Sequence, residues 1–323
     1  MGDRTIVVTM RRKMRSTTTG APQSPSQDAS ARRSEGLALV ALLLGAVCIA
    51  MSPIFVRVSE TGPTATAFWR VALAIPALWA LYAAFGREAT GPDSIVRPAI
   101  PWKLFIYAAI AFAGDLAVWH LSVKFTSVAN STLLANLAAI FVTLATWLFF
   151  RQKPSRLFLV GLVTALVGVG MLVSTSIAFS STALLGDALG VVTAMFYAWY
   201  LLTVKELRDR GAGTLRLMAV TTAITAMLLL PIALATGEQM LPVTGVGWLK
   251  LAGVAIISHA GGQGLIAYAL AHLPASFSSV SLLVQPVMAG VFAWMLLGEP
   301  LVALQIAGGL VVLVGIYLAR KGS

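Results

Sequence analysis

The sequence predicts an all-α membrane protein in which ten transmembrane helices form two inverted five-helix repeats around a central cavity. Of its 323 residues, 58% are hydrophobic and 11% are charged, whereas a soluble domain is about half apolar and a quarter charged. The apolar residues form runs of about 20, the length that crosses a hydrocarbon core of ~30 Å. Because lipid offers no partners to backbone polar groups and no barrel-type alternation is present, these runs are predicted to be helices.

An N-terminal segment rich in Arg, Ser, Thr, Gln and Pro precedes the apolar runs. We expect residues 1–34 to be a disordered basic tail, because this composition cannot bury a core. Residues 35–177 are then the first repeat, with spans one to five, and residues 178–323 are the second. The predicted spans are 36–57, 63–86, 103–122, 126–150, 157–177, 185–205, 215–236, 247–271, 275–297 and 300–319.

The distribution of basic residues predicts the topology. Ten spans place both termini on one side of the membrane. Nineteen Lys and Arg residues fall in the tail, the even-numbered gaps and the C-terminus, and only Arg57, Lys124 and Lys250 lie near the opposite face. The positive-inside rule therefore predicts cytoplasmic termini in a bacterial-type inner membrane.

Charge and cysteine content limit the other classes of function. The net charge of +11 comes from residues that flank the apolar spans, so we read it as a topology signal and predict no nucleic-acid partner. The single cysteine, Cys48, cannot form an intrachain disulfide or a Cys-based metal cluster. The three histidines are widely separated, and we predict no metal site and no cofactor.

An internal repeat gives the two halves their relation. Shifting the chain by 147 positions aligns residues 135–173 with 282–320 without a gap, and an offset of 148 brings Arg57 onto Lys205 and His120 onto Tyr268. The shared Trp and Gly positions are more informative than shared Leu or Val. The aligned pairs include Trp147 with Trp294, Gln152 with Glu299, Gly161 with Gly308 and Gly168 with Gly315.

Five spans per repeat is an odd number, so the second copy must enter the membrane from the opposite side. Two inverted halves give two arrangements of similar energy, each open to one side, around one site near the midplane. This symmetry favours a carrier over a channel or a membrane enzyme.

The residues at the end of each half also resemble a known family. PASFSSVSLLVQPVMAGVFAWMLLGEPLVALQIAGGLVVLVGIYLAR (274–320) and FWRVALAIPALWALYAAF (68–85) resemble the EamA family of the drug/metabolite transporter superfamily. The most specific element is LLGEP (296–300), whereas the first half has FFRQK (149–153), so Gln152 is given no role that needs charge. The resemblance implies a basket of ten helices, with spans five and ten more peripheral, that exports amino acids or related metabolites.

Polar residues inside the spans are the candidate site, because an ionised side chain at the bilayer centre costs at least ~2.5 kcal/mol. Arg70 in span two has a planar fork suited to a substrate carboxylate, or it could pair with Asp115 in span three. Asp115 could instead bind substrate or carry protons. Trp119 shares a helical face with Asp115, and His120 lies beside it.

Further candidates come from spans four, six, eight and nine. Asn136 and Gln285 are the larger polar residues of spans four and nine, and they could donate hydrogen bonds to a substrate. His259 and Gln263 share a face in span eight, and Tyr200 in span six could contact an aromatic solute. A buried histidine can equally be a hydrogen-bonded structural residue, and small polar residues also let membrane helices pack closely.

Three residues are predicted to shape the helices. Pro53 and Pro286 could act as hinges, although Pro also occurs in membrane helices without that role. Glu299 is expected to be a structural cap on the tenth helix, since a carboxylate satisfies N–H groups at a helix start.

We therefore expect a secondary transporter that moves a small metabolite by alternating access, most simply as an exporter. No G-x-x-x-x-G-K-[ST] loop for ATP occurs. One alternative is a small multidrug-type cation antiporter, but residues 36–56 lack the required acid. A membrane-embedded enzyme or a channel is another, although G-x-S-x-G and H-E-x-x-H are absent. The expected partners are a small-molecule substrate and the lipid bilayer, with protons as a candidate coupling ion and a homodimer as a candidate assembly.

Overall fold

The computed structural model describes residues 25–86, 100–126, 128–174 and 183–323. It divides into two units, Met1–Leu37 and Ala38–Ser323. The described part of the first unit is the beginning of the helix Pro25–Ala50, which includes residues 25–34 of the predicted tail. Pro25 opens this helix with a fixed φ, and the Ala and Arg residues that follow favour helix. Residues 1–24 of the predicted tail lie outside the described residues.

The described chain is built from ten helices, several of which are interrupted. Nine of the described helices are long and apolar enough to cross a membrane, and α5 is apolar but shorter. With 18 residues, α5 is at the low end of the spanning range. The helices are α1 (Pro25–Ala50, then Ser52–Arg57), α2 (Pro63–Ala72, then Ala74–Phe85), α3 (Trp102–Phe125), α4 (Val128–Ala135, then Ala138–Phe150), α5 (Arg156–Val173), α6 (Ala183–Asp209), α7 (Thr214–Ala235), α8 (Gly245–Gly253, then a π-helical segment Val254–Gln263, then Gly264–Ala269), α9 (Ala275–Ser281, then Val284–Leu297) and α10 (Ala303–Lys321).

The contacts between helices show the two-fold relation of the halves. Helix α5 packs on α10, and α2 packs on α7, as does α4 on α9. In the first half α3 contacts α6 and α7, and in the second half its equivalent α8 contacts α1 and α2. Likewise α4 contacts α6, and its equivalent α9 contacts α1. Helices that are five apart in chain order therefore make equivalent contacts, as two inverted five-helix repeats require.

The repeat extends to single backbone angles. Helix α4 ends at Arg151 with φ +56°, and α9 ends at Gly298 with φ +70°, two positions that are 147 residues apart. In each case the next amide donates back to the last turn, Gln152 N to Thr146 O and Glu299 N to Ala293 O. The two halves therefore share one helix-ending geometry even where the side chains differ.

Glycines set the crossing of α5 with α10. A Cβ at Gly161 would lie 2.6 Å from Gly315 O, and one at Gly168 would lie 2.7 Å from Gly308 O. Gly161 is equivalent to Gly308 and Gly168 to Gly315, so the two close contacts are the same contact repeated. Small residues let membrane helices approach this closely, and the backbones leave no room for larger ones.

Helix interruptions surround one region of the bundle. The breaks in α1, α4 and α9 fall at Met51, at residues 136–137 and at residues 282–283, and α8 carries the π-helical segment Val254–Gln263. Such interruptions often occur at functional sites, because they redirect side chains from the regular helical position.

One end of the bundle is closed by loops that bind one another. We call it the Glu60 face, and it bears residues 58–62 between α1 and α2 and residues 236–244 between α7 and α8. The Glu60 carboxylate accepts hydrogen bonds from the amides of Val243 and Thr244, both 3.0 Å, at the start of α8.

The second carboxylate of this face reciprocates. Glu238, from the loop before α8, accepts from Thr64 N (2.8 Å) and Ala65 N (3.3 Å) in the first turn of α2. Trp69 Nε1 also donates to Met240 O at 2.7 Å. Each loop thus caps the helix that follows the other loop, and the exposed N–H groups of both helix starts find acceptors.

Candidate functional site

A cavity of about 160 Å³ opens among seven of the ten helices. Its lining comes from the parts of α1, α2, α3 and α4 nearest the Glu60 face and from the middle of α6, α8 and α9. The volume is similar to that of cavities that hold a benzene-sized molecule. The site therefore suits a small solute.

Two oppositely charged side chains line this cavity. The Arg70 guanidinium donates to Ser52 Oγ at 3.1 Å and lies 6.0 Å from the centre of the Phe112 ring. Its Nε has no hydrogen-bond partner among the described residues. Asp115 also lines the cavity, close enough to attract Arg70, but no ion pair within 4.0 Å joins them in the described part of the chain. Both charges are therefore available to a third group.

Three uncharged polar side chains form a second group, which we call the amide cluster: Tyr197 on α6, Gln263 on α8 and Gln285 on α9. All three line the cavity, and the Tyr197 hydroxyl lies beside both amides. Within the described residues, Tyr197 OH, Gln263 Oε1 and Gln285 Nε2 are buried and have no partner in hydrogen-bonding geometry. Buried polar atoms are usually hydrogen-bonded, so this cluster is short of a partner.

The remaining predicted residues of α3 and α4 line the same cavity. Trp119 and His120 pack edge to face with ring centres 4.9 Å apart, and His120 Nδ1 lies against Leu116 O. The Asn136 amide donates to Thr132 O at 2.7 Å, beside the break in α4. Its amide nitrogen is therefore already bonded in this structure.

Two predicted residues lie behind the cavity wall. Tyr200 and His259 are 2% and 1% exposed, and both rings contact Phe112, with ring centres at 4.7 and 5.4 Å. His259 Nε2 lies 2.8 Å from Thr222 Oγ1. Phe112 thus separates them from the cavity that Arg70 lines, and a direct contact with a solute there would require Phe112 to move.

Sequence reasoning missed several lining residues that helical spacing could have found. Thr66 lies one turn before Arg70, and Thr193 lies one turn before Tyr197. Phe112 lies three residues before Asp115 on the same helix. In each pair the spacing of three or four residues puts both side chains on one helical face.

The prolines lie where the helices are interrupted. Pro53 is in the first turn after the break at Met51, and Pro286 follows the break at residues 282–283. A proline in a first turn removes an N–H that would have no partner in the helix. Both also line the cavity, and their role as hinges stays a prediction.

Glu299 lies ahead of the helix that we expected it to cap. Helix α10 begins at Ala303 with Val302 as its N-cap residue, and the Glu299 carboxylate forms an ion pair with Arg57 at the end of α1. The reason is the left-handed turn at Gly298, after which residues 299–302 are not helical and separate Gly298 from the helix start.

The fold and the cavity together define a class, that of multi-pass membrane transporters with a binding site among their helices. The chain belongs to the EamA-like transporter family, whose model matches residues 36–174 and 184–320. Two matches in one chain are the two repeats, and membership identifies a transporter rather than an enzyme.

Two relatives agree with this family, and a solved structure shares the fold. The chain is 27% identical over 276 residues to an "Uncharacterized transporter" of Archaeoglobus fulgidus, covering 82% of this chain and 91% of the relative. It is 26% identical over 235 residues to a "Probable amino-acid metabolite efflux pump" of Salmonella typhimurium, covering 69% and 78%. A crystal structure with 14% identity superposes with a TM-score of 0.71 over 91% of this chain and 98% of that one, which shows a shared fold.

Proposed function

We propose that this transporter binds a small zwitterionic metabolite, an amino acid or a related compound, and exports it without ATP. The observation that carries the proposal is the cavity that both Arg70 and Asp115 line without forming an ion pair with each other. A zwitterion would supply a carboxylate to the guanidinium fork and an ammonium to the aspartate. It would thereby offset the cost of holding two charges within the membrane.

Alternating access follows from the symmetry. Two inverted halves allow two arrangements, each open to one side of the membrane, and the breaks next to the cavity give the helices places to bend. With both termini in the cytoplasm, as the basic residues predict, the Glu60 face is periplasmic and the membrane is a bacterial-type inner membrane. Export is supported by the similarity to a relative named as an efflux pump.

A purely cationic drug fits the cavity less well. Asp115 and the Trp119 ring could hold a cation, but Arg70 lines the same cavity and repels it. Asp115 also remains the candidate proton carrier, and coupling to protons and assembly as a homodimer both stay predictions.

Counterflow in liposomes tests the proposal. Proteoliposomes preloaded with an unlabelled amino acid should accumulate the labelled one, and Arg70→Lys should raise the concentration for half-maximal uptake about tenfold or more, because Lys cannot form the bidentate contact. Arg156→Lys on the exposed start of α5 is the matched control and should behave like the unmodified protein. Unchanged affinity in Arg70→Lys, or fast flux without countertransport, would contradict the proposal.

A further inference from the structure

We propose that the amide cluster of Tyr197, Gln263 and Gln285 is a second subsite, which binds a neutral group on the substrate that both donates and accepts hydrogen bonds, such as a side-chain carboxamide. This inference rests on the proposed function, since it concerns another part of the same substrate. Nothing in the family match or in the named relatives assigns these residues.

The unpartnered atoms define the chemistry of the missing group. Gln263 Oε1 is an acceptor, Gln285 Nε2 is a donor and the Tyr197 hydroxyl can be either. A carboxamide N–H can donate to Gln263 Oε1 while its carbonyl accepts from Gln285 Nε2. A carboxylate cannot donate to Gln263 Oε1, an ammonium cannot accept from Gln285 Nε2 and an alkyl group can do neither, so only a group with both functions bonds to both amides.

Comparing equivalent positions in the two halves shows how this subsite differs from the charged one. With the offset of 148 that relates the early spans of the halves, Gln263 falls on Asp115 and Tyr197 falls on Ile49, and all four line the cavity. The same position of the fold thus carries a carboxylate in one half and an amide in the other. Since the fold accommodates Ile49 where the second half has Tyr197, a hydroxyl there is not a packing requirement.

Depth along the helices separates the amide cluster from Arg70. Measured along the helices from the Glu60 face at 1.5 Å per residue, Arg70 lies about 10 Å from the start of α2, and Gln285 lies about 18 Å from the end of α9. The amide cluster is therefore deeper than Arg70. A substrate held by its charged end at Arg70 and Asp115 would direct its side chain toward the cluster.

Binding measurements on the purified full-length protein test this subsite. L-Asparagine is compared with L-leucine, which has nearly the same shape and no side-chain hydrogen bonds, and L-glutamine is compared with L-glutamate. In the unmodified protein we expect at least one amide to bind about tenfold or more tightly than its counterpart. The ratio should fall toward one in Tyr197→Phe, Gln263→Leu and Gln285→Leu.

Tyr197→Phe is the most decisive variant, because it removes one oxygen atom that has no partner in the ligand-free protein. Its melting temperature without ligand should not fall, whereas a lower melting temperature with an unchanged binding ratio would show a structural role and overturn the inference. Gln152→Leu, on the exposed α4–α5 connection, is the matched control and should keep the ratio of the unmodified protein.

The two proposals fail in different ways. If none of the four amino acids binds, the proposed function is wrong for this solute class and the subsite is wrong with it. If they bind but amides have no advantage, or if the variants keep the advantage, the zwitterion site stands and the carboxamide subsite is wrong.

Discussion

Single residues at the Glu60 face connect loops that are distant in sequence. Glu60 accepts hydrogen bonds from the side chain and amide of Thr244 and from the amide of Val243. These bonds stabilise the ionised carboxylate, so they lower the pKa of Glu60 below its ordinary value of 4.5. The reciprocal carboxylate, Glu238, holds the start of α2 in the same way.

The lowered pKa of Glu60 predicts a pH-dependent contribution to stability. Because the folded state prefers the ionised form, the contribution is fully present above the unfolded pKa and is lost as the pH falls through the folded pKa. Glu60→Gln should therefore lower the melting temperature at pH 7, and the difference from the unmodified protein should shrink as the pH falls below about 4.5. A thermal-unfolding series from pH 7 to pH 3 measures this, and a difference that stays constant or grows in acid would contradict it.

At the scale of helices, the α5–α10 crossing depends on backbone proximity rather than on side-chain interlocking. A Cβ at Gly168 would meet Val312 N at 2.6 Å and Gly308 O at 2.7 Å, and neither backbone atom can turn aside. Gly170 lies two residues further along α5 and has nothing within 4 Å of its Cβ position. One helix thus offers a crowded glycine and an open one.

These two glycines predict that the same substitution will change stability in opposite directions. Gly168→Ala should destabilise the protein by about 1–3 kcal/mol, because the helices must separate. Gly170→Ala should be neutral or stabilising by up to about 1 kcal/mol, because Ala favours helix. Thermal unfolding followed by size-exclusion fluorescence checks both, and equal effects at the two positions would show that the contact does not control the packing.

Much of the helix plan could be predicted from the sequence because length and hydropathy act locally. The apolar runs, the repeat and the LLGEP turn all leave signals within a few residues, and most helices lie where the runs predict. The ion pair of Glu299 could not be predicted from its local sequence, since its partner, Arg57, is 242 positions away. The helical stretch at residues 25–34 has a polar composition that also suits disorder.

The candidate site was predictable in part for the same reason. Intramembrane polarity indicates Arg70, Asp115 and Gln263, which line the cavity, but it indicates His259 equally well, and His259 lies behind Phe112. Only the packing of α3, α6 and α8 determines whether a polar group lies on the cavity side of the Phe112 ring or behind it. Similarly, Tyr197 and Tyr200 differ by three positions on α6, and the neighbouring helices determine that Tyr197 faces the cavity.

At the scale of the whole molecule, the distribution of basic residues predicts which face meets the cytoplasm. In a Cys48→Ser background, a single new cysteine can be placed at Leu241 on the Glu60 face, at Ser323 or at Ser16. A membrane-impermeant maleimide added to intact cells should label Leu241→Cys, whereas Ser323→Cys and Ser16→Cys should react only after the membrane is permeabilised. The reverse pattern would invert the topology, and labelling of only one terminus would rule out an even number of spans.

The ion pair between Arg57 and Glu299 joins the two halves at one face of the bundle and has no ionic counterpart among the described residues at the other. Under the repeat its counterpart joins Lys205 to Gln152, an uncharged residue, and Lys205 binds Asp209 on its own helix instead. An exposed pair contributes about 0–1 kcal/mol, which changes a ratio of two states by up to about fivefold. A duplicated scaffold with identical halves would divide its time equally between the two sides of the membrane. If the pair breaks when the helices rearrange, this single difference gives the protein a resting preference for one side before any solute arrives.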